Sequence, residues 1–467
     1  MAPRYDLIVV GAGPGGTAAA KAAAERKLKV LLLERGRRPG DKQMSGSYLF
    51  RTITEEIFPG FEQADFHKGQ IRLGGVDFRW MLDNDEKRHG ISVAPGADVM
   101  RNWMTVYRNE TDEWFAEQAV RAGAELKTAL VTDLLWENEG TESARVRGVV
   151  TAAGDFEAPA TIDASGLNSL IAERAGLAKW GVDKVMLGLK YIYRVDGEVL
   201  RQRLQTYMDS DGVEVDWGAT QMLCGSNPDH FGAHATGMPG RGIVSICFYS
   251  ALKEMVEARV NIHQRAQWYL TQPTCRRLIE GGEFIYCDFH ALAAGDMVGY
   301  VPKSYLPGLL LVGDAGGFSQ PVDNFGANVA LWMGRMAGEL CADMKTRNDY
   351  SEAMFARYEE NWRNSWVGED NVPEISVFMR DGSLNQVFKT MDDVVSYAFA
   401  CKWENTSYPS IILGIVPKIL PVLPALMEAP HLAKRAAEVG LKKASPLMQL
   451  LGMWPGTAPN APKPKGE

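Results

Sequence analysis

This sequence predicts an α/β fold: a parallel sheet, an inserted antiparallel sheet and a helical C-terminal region. Three observations carry the prediction. The stretch "YDLIVVGAGPGGTAAAKAAAERK" (Tyr5 to Lys27) runs from a short apolar strand through a glycine turn into an alanine-rich helix, and "KVLLLERG" (Lys29 to Gly36) adds a second buried strand. A second glycine cluster with an aspartate inside it, "VGDAGGFSQPVDNFGANVA" (Val312 to Ala330), follows another buried strand in the last third of the chain. Between the two, residues Lys184 to Phe289 are rich in strand-like runs such as "MLGLKYIYRV" and "GIVSICFYS".

The 467 residues are enough for two or three domains, with an ordinary globular balance of 46% hydrophobic and 23% charged residues. A formal net charge of −8 argues against general nucleic-acid binding. The six cysteines (Cys224, Cys247, Cys275, Cys287, Cys341 and Cys401) contain no CxxC pair, so neither an iron–sulfur nor a zinc site is expected and no metal is assigned. Scattered thiols in a large chain suit a reducing cytoplasm. The N-terminus enters a strand almost at once, without the apolar core and cleavage site of a signal peptide. No apolar run is long enough for a spanning helix.

Gly11, Gly13 and Gly16 form G-x-G-x-x-G between strand and helix. The first glycine permits the tight turn and the second lets the backbone approach a pyrophosphate. The third allows close helix–strand packing, with the phosphates at the helix N-terminus. Ala12, Pro14 and Gly15 complete that turn. Glu34 ends the second strand, where a carboxylate accepts hydrogen bonds from both ribose hydroxyls. The first unit alone does not separate FAD from NAD. The late cluster does: Gly313 and Asp314 follow a buried strand, and a carboxylate there accepts from a ribityl hydroxyl, which NAD lacks. The helix starting near Gly326, with Ala327 and Asn328, would present its N-terminus to the flavin. One FAD is therefore expected to stretch between the two turns.

Further along, "TDEWFAEQAVRAGAEL" (Thr111 to Leu126) opens as an amphipathic helix that stops at Gly123, and "ARVRGVVT" and "APATIDAS" read as strands returning to the nucleotide domain. Residues 36–96 read as irregular structure with strands. One charged helix is expected near Ala251 to Thr271, and the chain beyond Asn348 reads as mainly helical.

These motifs resemble the FAD-dependent superfamily of geranylgeranyl reductases and aromatic hydroxylases. Within it the chain looks most like the FixC-type electron-transfer-flavoprotein dehydrogenases, relatives of the electron-transfer-flavoprotein–quinone oxidoreductases. "LLLERG", with Glu34 and Arg35, resembles the end of the first unit. "PGDKQMSGSYLF" resembles the family's P-G-x-K-x-x-S-G-G segment, which implies that Ser45 and Gly46 lie near the flavin. "VYRNETDEWFAEQAVRAGAEL" resembles the R-x-x-F-D-x-W-L-A helix and implies that Arg108 meets the FAD phosphates or ribityl. "ALVTDLLWENEG" resembles the next strand, whose backbone near Val131 would hold the adenine. "TIDASGLNSLIAERAGL" resembles D-A-D-G-V-N-S-x-L-A-x-x-A-G-L and brings in Ala164, Ser165 and Gly166. "LLLVGDAGGF" resembles the ribityl-binding V-G-D-A-A-G, and "SQPVDNFGAN", with Pro321, resembles the reductase loop more than the FixC-type loop. Ser47 stands in place of the second glycine of S-G-G, and Ser165 in place of the usual aspartate of D-A-D-G.

The resemblance implies a Rossmann-like FAD-binding domain of the glutathione-reductase type, assembled from residues 1–75, 100–180 and 295–347. A substrate domain with an antiparallel sheet takes 76–99 and 181–294. A mainly helical region covers 348–456, and 457–467 is a flexible tail. It also implies electron transfer with a separate redox protein, an electron-transfer flavoprotein or a ferredoxin, and a quinone or small apolar acceptor. The alternative is a stand-alone flavin-dependent reductase or monooxygenase acting on an apolar small molecule, such as an isoprenoid, an aromatic compound or a natural-product intermediate. A flavin-binding scaffold without chemistry is a third, weaker alternative.

No nucleophile–base pair is visible by spacing. His290 in "CDFHAL" and Tyr48 after the S-G segment are the two weak catalytic candidates, each with ordinary packing as the competing explanation. Trp80, Trp103 and Trp114 read as core rather than as a stacking platform. Residues Ser410 to Met427, "SIILGIVPKILPVLPALM", are apolar, but Pro417, Pro421 and Pro424 forbid one regular helix. With Lys434, Arg435, Lys442 and Lys443 behind them, residues 410–443 are expected to form either a peripheral contact with the inner face of the membrane or a buried or oligomeric hydrophobic loop.

Overall fold

A computed structural model of the chain describes residues 4–41, 46–64, 72–73, 76–81, 88–93, 102–167, 169–177, 180–204, 207–208, 214–216, 221–225, 232–293, 303–319, 326–370, 390, 394, 397 and 408–419. Ser45, Pro321 and the basic residues of 431–445 lie outside these.

The six-stranded sheet runs in the order Tyr305–Leu306, Leu309–Leu311, Thr161–Asp163, Leu7–Val10, Val30–Glu34, Glu125–Thr128. Its pairings are parallel except for the hairpin at the Tyr305 end. Leu7, Ile8, Leu31 and Leu32 have no exposure, as expected of strands covered on both faces. Each such side chain contributes about 1.5–3 kcal/mol of hydrophobic burial.

One face of this sheet is covered by the helix Pro14–Glu25 and the long helix Gly326–Arg347. The two helices meet almost backbone to backbone. A Cβ built on Gly334 would lie 2.0 Å from the Gly15 carbonyl oxygen, and one on Gly338 2.3 Å from that of Ala19. No larger side chain fits at these two positions. The helix Glu352–Arg363 closes the layer, and its Trp362 donates to Ser304 Oγ at 2.9 Å.

The second large sheet has seven strands, in the order Glu283–Ala293, Val185–Arg194, Ile243–Ala251, Gly232–Met238, Gln221–Gly225, Val76–Met81, Arg88–Val93. Its pairings are antiparallel except where Gln221–Gly225 meets Val76–Met81. Leu187, Leu189 and Tyr191 pack from one face of it against Met255, Ala266, Tyr269 and Leu278. The helical cover differs from the single helix expected near 251–271. It is Leu252–Ala258, Ile262–Thr271 and Pro273–Ile279. The break follows from a left-handed Arg259 (φ 54°) and from Asn261, whose side chain caps the next helix by accepting from the His263 and Gln264 N–H groups.

A five-stranded sheet joins the two halves: Tyr207–Met208, Glu214–Asp216, Arg72–Leu73, Trp103–Tyr107, Gly46–Phe50. The helix expected from Thr111 begins three residues earlier, at Arg108, directly after the Trp103–Tyr107 strand. Trp114 lies on it and packs with Phe58, Phe61 and Phe115. The described helix Tyr408–Ile419 contains Pro417 near its C-terminal end, at the cost of one intrahelical hydrogen bond. Among the described residues no helix is long and apolar enough to cross a membrane.

Candidate functional site

The glycine turn sits where the sequence places it. Gly11 takes φ 97°, a left-handed conformation, and a Cβ there would lie 2.4 Å from the Ala164 carbonyl oxygen. A Cβ on Gly16 would lie 1.8 Å from the Gly11 carbonyl oxygen, so the helix enters too close to the turn for any side chain. Gly13 behaves differently: a Cβ built there meets nothing of the protein within 4 Å. It faces open space at the N-terminus of the helix that begins at Pro14.

Glu34 closes the same turn. Its carboxylate accepts from the Ala12 N–H at 2.9 Å and from the Gly36 N–H at 2.6 Å. Each oxygen keeps lone pairs for a further donor. The Ala129 N–H donates to the Glu34 carbonyl oxygen, which brings the start of the Val131 strand beside the carboxylate. Arg35 next to it is exposed.

Arg108 and Asp112 lie one turn apart on the helix Arg108–Arg121. Arg108 donates through Nε and a terminal nitrogen to the two Asp112 oxygens at 2.8 and 2.7 Å. The Asp112 side chain is 1% exposed and that of Arg108 14%. Burial pushes the Asp112 carboxyl up and the Arg108 charge opposes it, while Asp112 holds the guanidinium firmly protonated. Arg108 also feels the charge of Asp314.

Asp314 lies in the helical turn Gly313–Gly316, after the strand Leu309–Leu311. The Val312 N–H donates to the Asp163 carbonyl oxygen at 2.9 Å, which fixes the turn to the neighbouring strand. Among the described residues none donates a hydrogen bond to the Asp314 carboxylate. Burial raises its pKa to about 6, and Arg108 pulls the other way. An enclosed acceptor with open lone pairs suits a hydroxyl-bearing ligand.

Ser165 turns inward. Its N–H and hydroxyl both donate to Asp163 Oδ1, at 3.0 and 2.7 Å, and Ser169 donates to Oδ2. Asp163 is fully buried and pushed up by burial, with the two serines opposing. The Ala164 backbone borders Gly11, and a Cβ on Gly166, which takes φ 80°, would meet nothing within 4 Å. Asn328, in the first turn of Gly326–Arg347, accepts from the Phe50 N–H at 2.7 Å and donates to the Tyr48 carbonyl at 3.1 Å. It thereby fastens the strand Gly46–Phe50 to that helix, with Gly326 and Ala327 just before it.

Of the two weak catalytic candidates, Tyr48 is buried, and its hydroxyl pairs with Thr236 Oγ1 at 2.9 Å across the two halves. His290 lies on the strand Glu283–Ala293, opposite Gly188. Burial, with Lys190, Arg108 and Arg35 adding positive charge, lowers its pKa to about 4. At neutral pH it is the uncharged imidazole and holds no spare ring proton.

The sequence reading missed the neighbours of His290. On the face of the seven-stranded sheet away from its helices, Lys190 is the cross-strand partner of Cys247 on one side and of Asp288 on the other. Tyr286 follows on the same strand, and its hydroxyl meets that of Tyr107 at 3.0 Å, directly before Arg108. Strand alternation is the signal that finds these groups: Leu187, Leu189 and Tyr191 pack under the helices, so Gly188, Lys190 and Ile192 turn the other way.

Comparison with known proteins agrees with this architecture. Residues 6–238 match the family model of the FAD-dependent oxidoreductases. The FixC protein of Bradyrhizobium diazoefficiens is 30% identical over 389 residues, covering 79% of this chain and 82% of that protein. A probable electron transfer flavoprotein-quinone oxidoreductase of Escherichia coli is 26% identical over 426 residues, 89% of this chain and 95% of its own. Among solved structures, a geranylgeranyl bacteriochlorophyll reductase-like protein from Thermoplasma acidophilum superposes with a TM-score of 0.65 at 21% identity, covering 92% of this chain and all of that one, a likeness of fold. The open space over Gly13, the acceptor at Glu34 and the enclosed Asp314 fit FAD. The chain belongs to the FAD-dependent oxidoreductases, as a member of the family of the FixC proteins, and FAD is its cofactor.

Proposed function

We propose that this protein moves electrons between a protein redox carrier, an electron-transfer flavoprotein or ferredoxin, and a quinone or small apolar acceptor. The observation that carries the reading is its similarity to a FixC protein and to a probable electron transfer flavoprotein-quinone oxidoreductase over most of its length. Bound FAD supplies the redox chemistry, accepting and releasing electrons singly or in pairs.

The chain's own residues bind and orient. Gly11, Ala12, Gly13, Pro14, Gly15 and Gly16 offer backbone to the phosphates. Glu34 and Arg35, with Val131, border the adenosine end. Arg108, held in place by Asp112, supplies a fixed positive charge. Gly46, Ala164, Ser165 and Gly166 line the middle. Gly313 and Asp314, with Gly326, Ala327 and Asn328 beyond them, form the far end. Asp314 would accept a ribityl hydroxyl, and the Glu283–Ala293 strand of the seven-stranded sheet comes up against its turn.

Anaerobic mixing of the oxidised holoprotein with candidate donors, followed in the visible spectrum, tests this. A reduced electron-transfer flavoprotein or ferredoxin should bleach the flavin, and added quinone should restore its colour. Fast reduction by NADPH alone, with oxygen uptake in the presence of a small apolar substrate and no response to any carrier protein, would replace this reading with a stand-alone reductase or monooxygenase.

A further inference from the structure

Lys190, Asp288 and His290 share one face of the seven-stranded sheet, with Cys247 beside them, and none of them has a place in cofactor binding. Lys190 faces Cys247 and Asp288 across the two neighbouring strands, at the ~5 Å separation of such pairs. The Glu283–Ala293 strand that bears Asp288 and His290 comes up against the Gly313–Gly316 turn. Tyr286 on it reaches Tyr107, next to Arg108. Lys190 and His290 both feel the Arg108 charge, so this face looks onto the same place as the cofactor cradle.

Lys190, Asp288, His290 and Asp314 are partly accessible to solvent. For all four, however, desolvation is the largest influence on ionisation. A surface group would be accessible and solvated, and a core group neither. A charged group partly open to solvent and partly stripped of water can be reached by a small molecule and acts on it strongly.

We propose that Lys190 receives a carbonyl oxygen of a neutral quinone-type acceptor and gives it a proton as electrons arrive; the proposal rests on the electron-transfer reading above and names the residue that serves its acceptor. A quinone carbonyl enters uncharged and gains negative charge only while it is reduced. A fixed ammonium at that oxygen stabilises the transition state more than the ground state.

The balance is simple. Quinone, two electrons and two protons give quinol, with the electrons supplied by the reduced cofactor. The Nζ–H bond breaks as the O–H bond forms. The neutral amine then regains a proton from water, and the second oxygen takes its proton from solvent. Burial and Arg108 lower the Lys190 pKa, with Asp288 and Cys247 opposing, which brings the amine closer to the range useful for proton transfer. His290, facing the same space, is already deprotonated, and burial pushes the Cys247 thiol up, so neither competes as a donor.

The test uses the holoprotein with menadione as probe, comparing wild type with Lys190→Met and Lys190→Arg. Binding to the oxidised form is read from perturbation of the flavin spectrum, without turnover. Reoxidation of the dithionite-reduced form is followed by stopped flow across pH. Lys190→Met should weaken binding about tenfold, slow reoxidation by about 100-fold and remove one limb of the pH profile. Lys190→Arg should keep binding within about threefold and still lose the proton-transfer rate, because guanidinium does not release its proton. Unchanged binding, rate and pH profile in Lys190→Met overturn the proposal. If that variant fails to retain FAD, Lys190→Arg decides alone: a wild-type rate and pH profile overturn the proposal, and a slow, flattened profile supports it. A wild-type protein that binds and reduces menadione through Lys190 but takes electrons from no carrier protein overturns the electron-transfer reading and leaves this one standing.

Discussion

Arg108 and Asp112 form a two-pronged ion pair one helical turn apart, with the aspartate almost completely withdrawn from solvent. The pair holds the Arg108 guanidinium within reach of the Asp314 charge. Removing one member leaves the other buried without a counter-charge. Asp112→Ala is expected to cost about 3–5 kcal/mol of stability, measured by urea unfolding, and to weaken FAD binding. Asp112→Asn, which keeps one acceptor, should lose less.

Gly13 and Gly16 separate the cofactor's needs from the fold's. Gly16→Ala pushes a methyl group into the Gly11 carbonyl and should prevent stable folding. Gly13→Val adds bulk where the protein has none. Its apoprotein should unfold within about 1 kcal/mol of wild type, while FAD affinity falls more than about tenfold in a fluorescence titration. Equal FAD affinity in Gly13→Val would remove the pyrophosphate from this turn.

Asp314 makes the apoprotein sensitive to pH in a defined direction. Its pKa in the folded chain is about 6, above the 3.8 of an aspartate in the unfolded chain. The folded state therefore binds the extra proton. The contribution to stability is full below pH 4 and is lost as pH rises through 6. Asp314→Asn should stabilise the apoprotein at pH 7.5 by about 1–3 kcal/mol, with the gain vanishing toward pH 4, in parallel urea titrations. FAD affinity should fall in the same variant.

His290 works in the opposite sense. Its folded pKa is lowered from 6.5 to about 4, so the folded state excludes a proton that the unfolded chain accepts. The associated stability is present above pH 6.5 and is lost as pH falls toward 4. His290→Gln should reduce acid destabilisation over that window by about 1–3 kcal/mol. Imidazole proton shifts in the wild type, followed by NMR, should show one histidine that titrates near pH 4.

The nucleotide half was legible because its signals are local. The turn at Gly11, the strand ending in Glu34 and the late Gly313–Asp314 turn are each written in a few consecutive residues. The Arg108–Asp112 fork shows a different limit. A motif points to Arg108 alone, whereas helical spacing places Asp112 beside it. The contact of Gly15 with Gly334 joins residues more than three hundred positions apart, and a glycine inside a helix does not announce what lies against it. Lys190 escaped for a related reason. It stands between two apolar residues in an apolar strand, and only the sheet's other neighbours decide which face turns toward the cofactor. Asn261 is a cap written in the sequence, inside a charged run that otherwise reads as one helix.

Gly334 and Gly338 also set a timetable for biosynthesis. The first βαβ unit leaves the ribosome early, but the surface on which its opening helix rests is made some three hundred residues later. A nascent chain can pair Leu7–Val10 with Val30–Glu34 and still have no far wall for its dinucleotide. Loading of the flavin therefore belongs to the end of translation or after it. Truncations that stop short of the long helix should emerge colourless, however intact their N-terminal turn.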